Sequence, residues 1–113
     1  MSAIYDREDA IARLGGDASL FASVADLFVA DSESYRQSLR VALAGGDAGE
    51  LRRVAHTVKS VLATFSFAEG RAQAWALEQA AAAGDLVQAA PLVAATDAAL
   101  GDLAVALAHD KSA

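Results

Sequence analysis

The chain has no cysteine and one proline, and only 6% of its residues are aromatic. Without thiols it has no disulfide framework, no thiolate metal site and no cysteine nucleophile, which removes thiol redox chemistry from consideration. Runs of β-branched residues are also scarce, whereas 55% of the chain is hydrophobic and much of that is alanine. That balance disfavours a sandwich or barrel and favours an all-α protein. Basic residues are in deficit, with 9 Lys and Arg against 15 Asp and Glu and a net charge of −6. Such a charge opposes general binding to nucleic acid or to an anionic membrane surface. No uninterrupted apolar run approaches the roughly 20 residues of a membrane span, and the N-terminal MSAIYDREDA is polar and acidic rather than signal-like. No glycine-rich phosphate loop is present, so the chain lacks the means to bind ATP as a kinase does. The expectation is a cytoplasmic, monomeric protein of one domain, residues 1–113, long enough for a single core.

What is present is regular punctuation. Asp6, Asp17, Asp47, Ser66 and Asp85 each stand where a helix can begin, because a short oxygen-bearing side chain accepts the free amide hydrogens of a first turn. Glycines that suit helix ends precede three of them, at Gly15-Gly16, Gly45-Gly46 and Gly84. DAGE, SFAE and DLVQ carry Glu or Gln three residues after the cap, and Ser66 to Glu69 has the strict capping-box form. The spacing predicts helices near 6–14, 17–44, 47–64, 66–83 and 86–109. Pro91 lies too deep to be a first-turn proline of a helix starting at Leu86, which predicts a start near Ala90 after a short turn. Asp31-Ser32 is a candidate kink in the second helix.

Each long segment carries an apolar stripe. Val93, Thr96, Leu100, Leu103 and Leu107 alternate spacings of three and four, as in antiparallel bundle packing. The second segment offers Leu20, Val24, Leu27, Phe28, Tyr35 and Leu39, and the fourth offers Ala72, Trp75 and Leu77. Trp75 and Phe28 are accordingly expected in the core. Short loops between long amphipathic helices predict an antiparallel up-and-down four-helix bundle with the short first helix across one end.

Residues 55 to 65, AHTVKSVLATF, contain the candidate chemistry. At roughly 100° per residue, Leu51, Val54, Ala55, Val58, Leu62 and Phe65 share one side of the third helix, and His56 lies roughly 150° from the centre of that side. His56 therefore faces water, with Arg52, Lys59, Ser60 and Ala63 one turn before it or one to two turns after it on the outer face. Residues 36–59 hold Arg36, Arg40, Arg52, Arg53 and Lys59 against Asp47 and Glu50, a local +3 in an acidic chain. A neutral imidazole is a competent nucleophile, and a lysine one turn away can bind an incoming anion. A phosphoryl group is the candidate anion, since fixed cations stabilise its charge during transfer.

At these residues the sequence resembles the histidine-containing phosphotransfer (HPt) domains of two-component phosphorelays. The core signature is present as Ala55, His56 and Lys59, and the likeness extends through DREDAIARLGGD, GDAGELRRVAHTVKS and ALEQAAAAGDL over nearly the whole chain. The resemblance implies a four-helix bundle with the phosphoacceptor His56 on an exposed face and Lys59 assisting the phosphoryl group. It also implies an orienting role for Glu78, which stands 22 residues after His56, where family members carry Gln or Glu. Ser60 and Ser66 replace glycines usual in the family.

The resemblance further implies a relay between receiver domains of response regulators and hybrid sensor kinases. His56 would accept the phosphoryl group from a receiver phosphoaspartate and pass it to another receiver. The chain itself needs no cofactor, and Mg²⁺ is expected on the receiver. Docking is expected over the second and third helices, around Val61, Ala63 and Ser60, with Arg52 and Arg53 steering an acidic receiver face. An HPt-like helical adaptor that binds partners without phosphotransfer is the alternative. A metal-dependent bundle is disfavoured, because two distant histidines and no Glu-x-x-His repeat supply too few ligands.

Overall fold

Four of the five expected helix starts are capped as their side chains require. Asp6, Asp17, Asp47 and Asp85 accept the amide hydrogens of Asp9, Leu20, Glu50 and Gln88, each at 3.0 Å. In the computed structural model, which describes residues 3–112, these starts open helices α1 (Arg7–Arg13), α2 (Ala18–Ala44), α3 (Ala48–Thr64) and α5 (Leu86–Ser112), with α4 (Ala68–Ala82) between the last two. No strand occurs among the described residues. α2 runs unbroken through Asp31-Ser32, and the Ser32 hydroxyl bonds back to the Val29 carbonyl at 3.1 Å.

Ser66 is the exception among the starts. Its φ of 53° is left-handed, the conformation that Gly16, Gly46 and Gly84 adopt in the other turns. Phe67 is the N-cap of α4 and makes no side-chain capping bond, so the expected Ser66–Glu69 box is not formed. Instead the Ser66 hydroxyl donates to Asp9 at 2.5 Å, and the Ser66 carbonyl accepts the Asp6 amide at 3.2 Å. A residue needed to turn the chain cannot also hold the extended backbone of a cap.

Pro91 likewise corrects the expected start near Ala90, for α5 is helical from Leu86 with the proline inside it. Pro91 and Val87, the residue whose carbonyl loses its helical partner, are both exposed. Water can hydrate that carbonyl, which lowers the penalty of an interior proline.

α2 packs against α3 and α5, and α4 packs against the same two, closing a ring of four long helices. Connections of three residues make successive helices antiparallel. α1 crosses one end, tied to the α3–α4 turn through Asp6 and Asp9. Just before it, buried Tyr5 donates its hydroxyl hydrogen to Asp110 of α5.

The expected stripes of α3 and α5 are buried in full. Phe65 closes α3 between Phe28 and Phe21, at centroid distances of 5.3 and 6.1 Å. On α2 the buried face is Phe21, Ala25, Phe28, Ser32, Leu39 and Ala42, which leaves Leu20 and Leu27 exposed about 100° away on its flank. Trp75, expected in the core, is 54% exposed, and Ala72 is exposed with it. α4 turns inward a face of small residues, Gly70, Ala74 and Ala81, together with Leu77 and Glu78. Close helix approach thus displaces the large ring to the outside. Residues 86–110 of α5 are long and apolar enough to cross a membrane by length and composition, with a mean hydropathy of 1.5. In the bundle this helix buries its leucine stripe and carries Asp97, which is bonded to two arginines of α2.

Candidate functional site

α3 presents His56 on the side opposite Val54, Ala55 and Val58, and its side chain is 62% exposed. The antiparallel return of α4 brings Glu78 alongside. Gly70 makes the approach possible, because a Cβ there would stand 3.0 Å from the buried Phe67 ring and 3.2 Å from Leu62 Cδ1. One oxygen of Glu78 lies 2.9 Å from His56 Nδ1, and the other lies 2.7 Å from Lys59 Nζ. The Lys59 contact is a charge contact more than an aligned hydrogen bond.

The electrostatics are consistent with an ionised Glu78. The Lys59 ammonium, and after it the His56 ring, hold the Glu78 carboxyl below its ordinary value of 4.5 although burial pushes it upward. A carboxylate only accepts hydrogen bonds, so Nδ1 of His56 carries the ring proton and donates it to Glu78. The lone pair then resides on Nε2, on the outer side of the ring. His56, Lys59 and Glu78 are thus brought together across two helices, with the nucleophilic nitrogen turned to solvent.

The surrounding expected residues divide. Arg52, Arg53 and Ser60 are exposed, Ala63 is half-buried, and Val61 is half-buried against the core. The Ser60 hydroxyl donates to the His56 carbonyl at 3.3 Å, as Thr57 and Thr64 bond back along the same helix. The +3 patch is largely neutralised. Arg36 and Arg40 engage Asp97, Arg53 engages Glu50, and Lys59 engages Glu78. Arg52 alone of the five has no carboxylate partner among the described residues. Among those residues, too, no three His, Asp or Glu side chains converge as metal ligands. Sequence reasoning missed Arg71 and Trp75 of α4, which share a cleft with Lys59. The rotation applied to His56 would have found Trp75, one turn before Glu78.

Comparison with known proteins places the chain in a family. The Hpt domain family matches residues 23–108, more than half of the chain. The protein therefore belongs to the Hpt domain family, whose members are phosphotransfer carriers of two-component signalling. Among solved structures it is similar to histidine-containing phosphotransfer protein B (HptB) from Pseudomonas aeruginosa PAO1. That likeness has a TM-score of 0.88 and 23% identity, and covers 99% of this chain and 97% of that one. At that identity it speaks for the bundle fold, including the α1 and early α2 residues that the family match leaves out. No curated protein matches by sequence.

Proposed function

We propose that this protein is a phosphorelay intermediate that takes a phosphoryl group onto His56 Nε2 from the phosphoaspartate of one receiver domain and delivers it to the aspartate of another. The observation that carries the reading is the Nδ1–Glu78 contact of 2.9 Å, which leaves Nε2 unprotonated on an exposed ring. The Nε2 lone pair attacks phosphorus in line, the P–O bond to the receiver aspartate breaks, and the carboxylate departs with the bonding electrons. No proton has to leave the ring. The phosphoimidazole keeps its Nδ1 proton, and its positive charge lies against the Glu78 carboxylate. Lys59, one turn from the ring and held by Glu78, has further ammonium hydrogens to turn to the phosphoryl oxygens. Mg²⁺ bound to the receiver would neutralise charge on that side, and this chain supplies the nucleophile and the docking surface. The protein acts in the cytoplasm as a monomer.

His56→Gln tests the reading. Incubated with phosphorylated receivers, the wild type should acquire acid-labile phosphate, and the variant should acquire none while keeping its helical circular dichroism. Labelling that persists in the variant overturns the assignment.

A further inference from the structure

Beside Lys59, α3 and α4 leave a cleft of about 460 Å³ lined by Lys59, Ala68, Arg71, Ala72 and Trp75. Besides Lys59 it is lined by two alanines, by the only tryptophan of the chain, 54% exposed, and by the exposed Arg71. The geometry points to this cleft as the specificity-determining part of the docking surface for a receiver domain, with Trp75 as its apolar anchor and Arg71 as its steering cation. The inference rests on the phosphorelay reading and extends the docking face from α2 and α3 onto α4.

Continuity with the phosphoacceptor is the first ground. Lys59 lines the cleft and also touches the carboxylate that holds His56, so a partner placing a phosphoaspartate against Nε2 covers the edge of the cleft. Charge is the second. Arg36, Arg40, Arg53 and Lys59 are satisfied by carboxylates of the chain, whereas the Arg71 guanidinium has no ion-pair partner among the described residues. An uncommitted cation beside the site complements the acidic face of a receiver and raises its association rate. A second copy of this chain, also at −6, would be repelled. Chemistry is the third. A tryptophan left half in water has apolar area still to bury, and Trp and Arg are the side chains most enriched among residues that dominate interface energetics.

Trp75, being the only tryptophan, also supplies the measurement. Each receiver domain of the source organism, activated with beryllofluoride and Mg²⁺, is titrated into the full chain while tryptophan emission is followed for receivers that lack tryptophan. Single-turnover transfer is measured in parallel for wild type, Trp75→Ala, Trp75→Phe and Arg71→Glu. A cognate receiver should shift the emission to the blue. Trp75→Ala should weaken binding about tenfold or more, Trp75→Phe should recover much of that, and Arg71→Glu should slow association at low salt with the difference fading at high salt. Phosphoramidate, a small phosphodonor that needs no docking, should label His56 equally in wild type and the two Trp75 variants. Transfer to His56 with unchanged emission and equal rates in Trp75→Ala overturns the inference. So does a blue shift that grows with protein concentration alone and tracks a dimeric mass, or the absence of any active receiver when phosphoramidate labels His56. Failure of phosphoramidate to label His56 counts against the phosphorelay reading instead, and Trp75-dependent receiver binding would still be measured separately.

Discussion

At the scale of single residues, one carboxylate performs two tasks. Glu78 sets the histidine tautomer through Oε2 and holds Lys59, only 22% exposed, through Oε1. Truncating it leaves Lys59 partly buried without its counter-ion and frees the ring to take either tautomer. Glu78→Ala should therefore destabilise the bundle by about 1–3 kcal/mol in urea denaturation and slow single-turnover phosphotransfer about tenfold. Glu78→Gln keeps an acceptor for Nδ1–H and should retain most of the rate. Nitrogen NMR shifts of His56 separate positioning from mere folding, because the ring should become a tautomer mixture in the alanine variant and remain protonated at Nδ1 in the glutamine variant. The depressed pKa of Glu78 adds a sign. Its contribution to stability is complete above its ordinary value of 4.5 and is lost as pH falls through the lower folded value. An alanine variant whose ring stays in a single tautomer with the same transfer rate would remove Glu78 from the mechanism.

At the scale of elements, α3 was fully legible in the sequence and α4 only in part, and the physical reason is the size of the inward side chains. α3 buries Leu51, Val54, Val58 and Leu62, large residues whose periodicity can be read directly, so the outward direction of His56 followed by rotation. α4 buries Gly70, Ala74, Leu77 and Ala81, and a stripe of small residues is invisible to a search for large ones. Trp75 was misplaced for that reason. Ser66 and Pro91 show a second limit, since a left-handed turn residue and a hydrated carbonyl depend on tertiary surroundings that spacing does not encode. The close contact of α3 with α4 is itself testable at Gly70, where an added Cβ would press on the Phe67 ring and Leu62, both buried. Gly70→Ala should lower stability by about 1–3 kcal/mol through overpacking. It should also weaken the His56–Glu78 contact, visible as loss of the single tautomer. Unchanged denaturation and ring shifts would mean that the helices move apart without consequence for the site.

At the scale of the whole molecule, the site and the scaffold rest on different pairs of helices. Phosphoacceptor chemistry is confined to α3 and α4, whereas α2 and α5 are joined by Asp97, whose carboxylate takes Arg36 Nε on one oxygen and Arg40 Nε at 3.0 Å on the other. Gly101, one turn further along α5, leaves room for this arrangement, since a Cβ there would fall 2.7 Å from Arg36 Nη1. Burial pushes the Asp97 carboxyl upward, but the two arginines together outweigh it and hold the group below its ordinary value of 3.8. Its stabilising contribution is accordingly full above that value and vanishes as pH falls through the lower folded one. Asp97→Asn removes the charge and leaves both guanidiniums facing a neutral amide. The variant should lose about 1–3 kcal/mol at neutral pH, and its stability should fall less steeply than that of the wild type at the acid end. Because none of these residues touches His56, labelling of His56 by phosphoramidate should proceed at the wild-type rate wherever the variant remains folded. Matched urea titrations at neutral and acid pH, with labelling kinetics on the same preparations, check both halves. If labelling falls together with stability in samples that are still folded, the α2–α5 pair communicates with the phosphoacceptor, and the division of the bundle into scaffold and site does not hold.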